Sequence, residues 1–374
     1  MIHSTAQSRL KTILLALLAL PILPWARITA AENAKPNVVF ILADDLGCMD
    51  IGAFNPKTFY ETPTIDRLAK RGMKFTQAYA ACCVCSPTRG SIMTGKYPPR
   101  FGITDFIPGM RSGKVKSAPN ADHLPLEEVT IAESLRDAGY ATFFAGKWHL
   151  GGGEFYPGAH GFPKELMNGQ GAKGNVQFWY PESGLPVPDH KDDPKIMSDN
   201  GGLSTAEGSP TSNLPLRAGK GWPYEGGVRE PMIVVAPGVT KPSTVCDVPV
   251  ISTDFYPTLL QLTGQPLKPG QHLDGVSFLP LLKGESAARG KPLFWHYPHY
   301  GNQGGAPNGV IRDGDWKLIE WYEDGALELY NISQDIGEQN NLAAQQPGKT
   351  KALHEKLIAW RKEVGALMPT PNPN

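Results

Sequence analysis

Apolar positions along this chain fall into short runs separated by polar, glycine- and proline-rich stretches. The period of each run predicts an element. Asn37 to Leu42 (NVVFIL) is an apolar run rich in β-branched residues, which predicts a buried strand. It ends at Ala43-Asp44-Asp45-Leu46-Gly47. Thr64 to Arg71 has helical spacing, with Ile65 and Leu68 on one face. Met73 to Ala78 predicts a second strand. Thr88 to Thr94 predicts a helix just after Pro87, a residue well suited to a first helical turn. Thr130 to Ala138 is an amphipathic helix stopped at Gly139, and Ala141 to Ala145 is a strand that runs straight into Gly146-Lys147-Trp148-His149-Leu150-Gly151. Strand, polar loop and helix in alternation predict an α/β fold with a mainly parallel sheet flanked by helices. Ligands bind such sheets beyond the carboxyl ends of the strands. That rule places Asp44, Asp45, Lys147 and His149 in one site.

From Gly151 to Lys195 the periodicity fails, and the segment is rich in Gly and Pro. It returns at Pro231 to Ala236 (PMIVVA), a strand, and at Asp254 to Leu262, a helix despite Pro257. From about Lys291 the texture changes to short aromatic-rich segments, Pro292 to Tyr297 and Asp315 to Trp321. These predict a small C-terminal antiparallel sheet, closed by an amphipathic helix over Lys351 to Val364. The expected division is residues 1–31, a leader; 36–290, a catalytic domain; and 291–374, a C-terminal α+β subdomain.

Composition narrows the function. Lys+Arg and Asp+Glu both number 36, so no basic excess points to nucleic acid. Arg9 and Lys11 precede an apolar run from Ile13 to Trp25, followed by small residues at Ala30 and Ala31. This is the layout of a cleavable secretory leader, too short for a comfortable span. The expectation is an exported protein, periplasmic or secreted, with no stable membrane insertion after cleavage. Five cysteines, Cys48, Cys82, Cys83, Cys85 and Cys246, leave at least one thiol unpaired or modified. Their spacing is not that of a zinc site. Cys82 and Cys83 read as packing residues, unless one of them pairs elsewhere.

The most specific segment is Cys85-Ser86-Pro87-Thr88-Arg89-Gly90-Ser91-Ile92-Met93-Thr94-Gly95. It matches the signature Cys-x-Pro-Ser/Thr-Arg followed by Ser/Thr-Gly, and so the chain resembles the formylglycine-dependent sulfatases. Three further segments carry the same resemblance. They are Gly146 to Gly151, Ser198-Asp199-Asn200-Gly201-Gly202, and Lys220 followed by Tyr224 to Pro231. The resemblance implies an alkaline-phosphatase-like fold and hydrolysis of sulfate monoesters, with sulfated carbohydrate as the expected substrate class. It implies that a maturation enzyme oxidises Cys85 to Cα-formylglycine, whose hydrate attacks sulfur and then expels sulfate. A helix N-terminus at that point favours an anion. By the same resemblance Asp44, Asp45, residue 85, Asp199 and Asn200 hold one Ca²⁺ or Mg²⁺, for which hard oxygen ligands are suited. Arg89 holds the hydrate or the site anions, Lys147 neutralises the sulfate or the hydrate, Lys220 contacts the sulfate ester, and His149 acts as a base near its ordinary pKa. Crowding of three carboxylates is a further reason to expect a cation. Glu225, Arg229 and Glu230 are expected to brace the loop.

The chain departs from the family between His149 and Asp199. That interval normally holds a His-x-Pro-type histidine, a helix and a buried strand. A central strand needs about five or six residues. Here only Ile196 and Met197 precede Ser198 as apolar residues, and Pro194 cannot donate to a ladder. His190, in Val187-Pro188-Asp189-His190-Lys191, does not match the expected histidine motif. The expectation is that Asp199 arrives through a loop, that Gly171 to Lys195 is the least ordered part of the mature chain, and that activity is weakened. Two alternatives to a working sulfatase stand beside it: a phosphate or phosphonate monoesterase of the same superfamily, and a catalytically impaired sulfatase-like protein.

Overall fold

The computed structural model describes residues 35–109, 111–167 and 194–373. The leader, His190 and nearly all of the Gly171 to Lys195 interval lie outside the described residues. In chain order the strands are β1 (Val39–Ala43), β2 (Met73–Tyr79), β3 (Val115–Lys116), β4 (Phe143–Gly146), β5 (Lys164–Met167), β6 (Pro194–Ser198), β7 (Arg229–Val234), β8 (Thr244–Cys246), β9 (Val250–Ile251), β10 (Leu293–Tyr297), β11 (Asn308–Asp313), β12 (Trp316–Trp321), β13 (Leu327–Asn331) and β14 (Thr370–Pro371). The α-helices are α1 (Pro63–Arg71), α2 (Cys85–Thr94), α3 (Pro98–Phe101), α4 (Ile131–Asp137), α5 (Glu225–Val228), α6 (Phe255–Leu262), α7 (Leu279–Leu282) and α8 (Pro347–Glu363).

The principal sheet has the order β1-β6-β7-β2-β8, with β9 also on β2. Only β7 runs against its neighbours; the other pairings are parallel. The α/β, mainly parallel architecture thus holds, with one reversed strand. β7 shows why helices cover both faces. Met232 and Val234 join Phe75, Met197, Phe255 and Phe278 on one side, while Ile233 and Val235 join Leu68 and Ala69 on the other. Successive strand residues point to opposite faces, so a continuous apolar run fits a strand buried on both.

β6 corrects the expectation of a loop. It lies between β1 and β7, in parallel register with β1 from Val39↔Pro194 to Ala43↔Ser198. Pro194 takes the first strand position, where a missing N–H is tolerated. Met197 is fully buried in the sheet core. Pairing on both edges makes a strand of a segment too short to declare itself by periodicity.

A second correction concerns β4. It does not join the principal sheet but pairs in parallel with β5 as a separate two-stranded piece. Phe143 is half exposed. Phe144 packs edge-on against Trp148 and Phe162, at centroid distances of 5.3 and 5.4 Å. The run thus reads as strand, but its ring contacts hold it in a small core of its own with Phe101, Leu124 and Leu150.

The four-stranded antiparallel sheet β10-β11-β12-β13 follows the expectation for the C-terminal segment. Helix α8 covers it through Leu353, Leu357 and Trp360, the last stacked on Phe294 at 4.7 Å. This core is continuous with Tyr79 and with Ala81 to Val84, the segment that leads into α2. Asn37 to Asn374 form one compact unit.

Candidate active site

β1 and β6 end level, because Ala43 pairs with Ser198. The residues that follow, Asp44-Asp45 and Asp199-Asn200, therefore emerge side by side at the carboxyl end of the sheet. Cross-bonds fix the two turns together. Asp199 N donates to Ala43 O (3.1 Å), Asp45 N to Asp199 Oδ1 (3.2 Å) and Leu46 N to Ser198 Oγ (3.0 Å). Asp199 is fully buried and leaves a strand directly, which corrects its expected delivery by a loop.

Helix α2 starts at Cys85 itself, three residues earlier than the periodicity indicated. Val84 is the extended N-cap, and Pro87 falls within the first turn, where its missing N–H has no helical partner to lose. Cys85 thus stands at a helix N-terminus beside the acids. Asp44, Asp45, Cys85 and Asp199 each offer a ligand atom within 4.8 Å of the others.

Three cations interleave with the three carboxylates. Arg89 sends Nε (2.9 Å) and Nη2 (2.7 Å) to Asp199 Oδ2, Nη1 to Lys147 O (2.6 Å) and Nη2 to Asp44 Oδ1 (3.5 Å). Lys147 Nζ donates to Asp44 Oδ1 at 2.7 Å, and Lys220 Nζ to both oxygens of Asp45 at 2.7 Å. Burial raises the Asp44 carboxyl, but Lys147 and Arg89 outweigh it and hold the group below the usual range. Burial, with Asp44 and Asp45 adding to it, pushes Asp199 up against the pull of Arg89. Burial and then Asp199 push the Cys85 thiol up to about 12, so as a cysteine it is a neutral thiol rather than a thiolate. The three cations thus offset part of the repulsion among the carboxylates, while Asp44 and Asp45 still raise Asp199.

His149 sits at φ 59 in the loop after β4. Its Nε2 lies 2.6 Å from Ile107 O, and a carbonyl only accepts, so Nε2 carries the proton. Nδ1 is then the free lone pair; it is buried without a hydrogen-bond partner. Burial, reinforced by Lys147, pushes the imidazole down to about 4 rather than leaving it near its ordinary value. Ile107 is itself tied to α2, its N–H donating to Ser86 Oγ at 3.1 Å.

Residues 36–190 match the family model described as Sulfatase, and residues 218–363 match the model for the C-terminal part of N-sulphoglucosamine sulphohydrolase. The chain belongs to the sulfatase family. A sulfatase of Formosa agariphila is 28% identical over 518 aligned residues, spanning 94% of this chain and 93% of the relative. Arylsulfatase A of Homo sapiens is 28% identical over 458 residues, spanning 87% of each. Both alignments exceed the 374 residues of this sulfatase, so both relatives carry stretches without a counterpart in it. Among solved structures, Ps i-CgsB in complex with k-i-k-neocarrahexaose superposes with a TM-score of 0.70 at 25% identity, covering 87% of this chain and 92% of that one. The phosphonate monoester hydrolase of Agrobacterium radiobacter shares the fold, with a TM-score of 0.63 at 16% identity, covering 88% and 96%. The alkaline-phosphatase-like architecture and membership of a hydrolase family are thereby established for this sulfatase.

One observation bears on a resident cation. Asn200 Nδ2 donates to Asp45 Oδ1 (2.7 Å) and to Gly201 O (3.1 Å), while its Oδ1 is buried with no partner. A buried acceptor left unpaired costs free energy, and a bound cation would satisfy it. With the convergent carboxylate oxygens this donor set fits Ca²⁺ or Mg²⁺. The thiol sulfur of Cys85 is the exception, being soft; in an oxidised residue 85 an oxygen would take its place.

The structure divides the residues expected to brace the loop. Glu225 accepts from Tyr79 Oη (2.7 Å), Lys317 Nζ (3.0 Å) and Arg229 Nη1 (3.3 Å), and Arg229 Nε reaches Thr76 O (2.7 Å). Glu230 is fully buried, and burial first, then the Asp199 charge, raises its carboxyl well above the ordinary range. All five cysteines are buried free thiols, which closes the possibility that Cys82 or Cys83 pairs elsewhere. Asn213 went unnoticed in the sequence, where Ser212-Asn213 looks like any polar loop. It is 3% exposed and touches both site loops.

Proposed function

We propose that this sulfatase hydrolyses sulfate monoesters of carbohydrates, with Cys85 converted by a maturation enzyme to Cα-formylglycine and one Ca²⁺ or Mg²⁺ held by Asp44, Asp45, Asp199, Asn200 and residue 85. The observation that carries the reading is the start of α2, which sets residue 85 among the three carboxylates and against Lys147 and Lys220. When present, the hydrated aldehyde supplies the nucleophile, and the cation acts as a Lewis acid that draws anionic oxygens together. The remaining work falls to the chain. Asp44, Asp45 and Asp199 balance Arg89, Lys147 and Lys220, so a divalent cation leaves the site at about +2, which offsets the single negative charge of a sulfate monoester and the second charge of the sulfate it releases. Lys147 and Lys220 reach solvent-facing positions from which to orient the ester, while buried Arg89 holds Asp199 in place. His149 commits its Nε2 proton to Ile107 and offers Nδ1 as the base. A bound anion would raise its pKa from about 4 toward the working range.

The sugar assignment draws support from the neighbour solved with a neocarrahexaose and from the C-terminal match to a sulphoglucosamine sulphohydrolase model. The leader at residues 1–31 is read as directing export. No helix of the described residues is long and apolar enough to cross a membrane.

The test is expression with a formylglycine-generating enzyme, mass spectrometry of the Cys85 peptide, and parallel assays on p-nitrophenyl sulfate and p-nitrophenyl phosphate. Conversion with preferential sulfate release is the expected result. Faster phosphate release would replace the reading with the monoesterase, whose fold the Agrobacterium hydrolase shares. Full conversion with no turnover on a panel of sulfated sugars would make this an impaired sulfatase. The stretches present in both longer relatives motivate that second reading.

A further inference from the structure

Two loops face each other across the site. One, Asp199 to Gly202, carries the amide ligand Asn200. The other, Arg217 to Gly227, carries Lys220. Their backbones are packed against each other closely enough to exclude side chains. A Cβ on Gly201 would stand 1.9 Å from Gly226 O, and one on Gly219 would stand 2.3 Å from Gly202 O. Direct bonds cross the gap: Lys220 N donates to Gly202 O (3.2 Å) and Gly201 N to Gly227 O (3.1 Å).

One side chain sits in the middle. Asn213 Nδ2 lies 3.0 Å from Gly202 O, 3.0 Å from Ala218 O, 3.2 Å from Gly226 O and 3.1 Å from Ser204 Oγ. Gly202 is two residues beyond Asn200, and Ala218 is two residues before Lys220 at a left-handed φ of 57. A Cβ on Gly47, two residues beyond Asp45, would meet Asn213 Oδ1 at 2.7 Å. One buried amide group therefore gauges the spacing of three segments: the Asp44-Asp45 turn, the Asn200 loop and the Lys220 loop. An amide nitrogen has two hydrogens and four acceptors around it here, so the acceptors share them and must converge on one point.

We propose that Asn213 is a positioning residue that couples the cation ligands to Lys220, setting the distance between the metal loop and the lysine that meets the ester sulfate. This rests on the function proposed above. It makes metal affinity and anion affinity move together when a single side chain touching neither ligand is changed. Outer-shell partners of metal ligands are commonly worth about 10–100-fold in affinity.

The test uses binding as well as turnover. Asn213→Asp keeps the shape but, ionised, cannot donate. Ca²⁺ affinity is measured by calorimetry on metal-stripped protein, inorganic sulfate affinity on the Ca²⁺-loaded form, and KM and kcat on p-nitrophenyl sulfate, beside a thermal melt. The expected result is about a tenfold or greater loss in both affinities with a raised KM, and partial rescue in Asn213→Gln, which restores the amide. In a cycle with Lys220→Ala, the sulfate penalty of Asn213→Asp should shrink, since the path through Lys220 is already gone. A lowered melting temperature with both affinities unchanged, or additive effects in the cycle, would overturn the proposal. If both Asn213 variants fail to fold, Gly219→Ala carries the test by wedging the two loops apart at Gly202 O; unchanged affinities there overturn it equally. A wild-type protein that binds neither Ca²⁺ nor sulfate would instead fail the proposed function, which separates the two results.

Discussion

Two clusters of buried charge among the described residues are built to opposite ends. Behind the Lys220 loop, Lys317 lies between Glu225 (3.0 Å) and Glu338 (2.9 Å), all three with fully buried side chains. Arg229, Tyr79 and the Glu225 N–H, which donates to Glu338 at 2.7 Å, complete that cluster. At the site, Asp44 is half exposed, Asp45, Lys147 and Lys220 reach solvent, and Asn200 Oδ1 has no partner. The first cluster is closed and ties β12 to the chain around α5. The second has equal numbers of opposite charges yet keeps acceptors free at an open face. Net charge does not distinguish them. Exposure does: the first cluster is sealed from solvent, and the second is open at its face, where a ligand could reach it.

The largest expected effect lies at the open cluster. Cys85→Ala should abolish sulfate release while leaving the melting temperature nearly unchanged, because the side chain adds little volume to the core. Retained activity would remove residue 85 from the chemistry. Next, Asp45→Ala should weaken Ca²⁺ binding at least tenfold in calorimetry. Metal stripping should abolish activity but shift the melting temperature only modestly, since the three cations still oppose the three carboxylates. A large fall in stability on stripping would show the open cluster to be as structural as the closed one.

The closed cluster should behave in reverse. Lys317→Met leaves two buried carboxylates with their shared cation gone, and should cost about 3–5 kcal/mol in denaturant unfolding. Ca²⁺ affinity should stay within error of wild type. If instead it falls strongly, the clusters are not independent.

The smallest effect is one of pH. Burial above all, with Glu225 beside it, raises Glu338 to about 7 from an ordinary 4.5. The folded state then binds the proton more tightly than the unfolded one. Its stabilising contribution is complete below pH 4.5 and lost as pH rises through 7. Glu338→Gln cannot titrate, so the slope of stability over that interval should flatten, by about 3 kcal/mol in total. An unchanged slope would mean that Lys317 keeps Glu338 ionised throughout.

Much of this was legible in the sequence, for identifiable reasons. Strand β2, helix α4 and the closing helix carry clean periods, and β1 reads as a strand but is only half-buried, with Ile41 41% exposed, against the buried strand its apolar run predicts. The signature at Cys85 and the hexapeptide at Lys147 name their residues outright. What failed to show was set by distant partners. β6 has too few apolar residues to declare itself, and exists because β1 and β7 bracket it. β4 has a strand's pattern but belongs beside β5, which only its aromatic contacts decide. β11 and β13 were also missed, since both lie in mixed polar text that becomes strand by pairing. Asn213 left no trace, because its importance lies in three carbonyls brought to it by folding.

The burial of Cys85, which is 3% exposed, also has a consequence in time. The segment leading to it is walled in by residues made much later. Ala81 N donates to Ser252 Oγ, 171 positions on, and Trp295 Nε1 closes on Ala80 O, 215 positions on. At synthesis rates of about 5–20 residues per second, the last of these arrives roughly 10–40 s after Ala80 itself. On the proposed chemistry, the enzyme that oxidises Cys85 works before those later residues close over it, a window at least that long. Speeding the growth or closure of the chain should then lower the fraction of molecules converted, with every residue of the finished site in place.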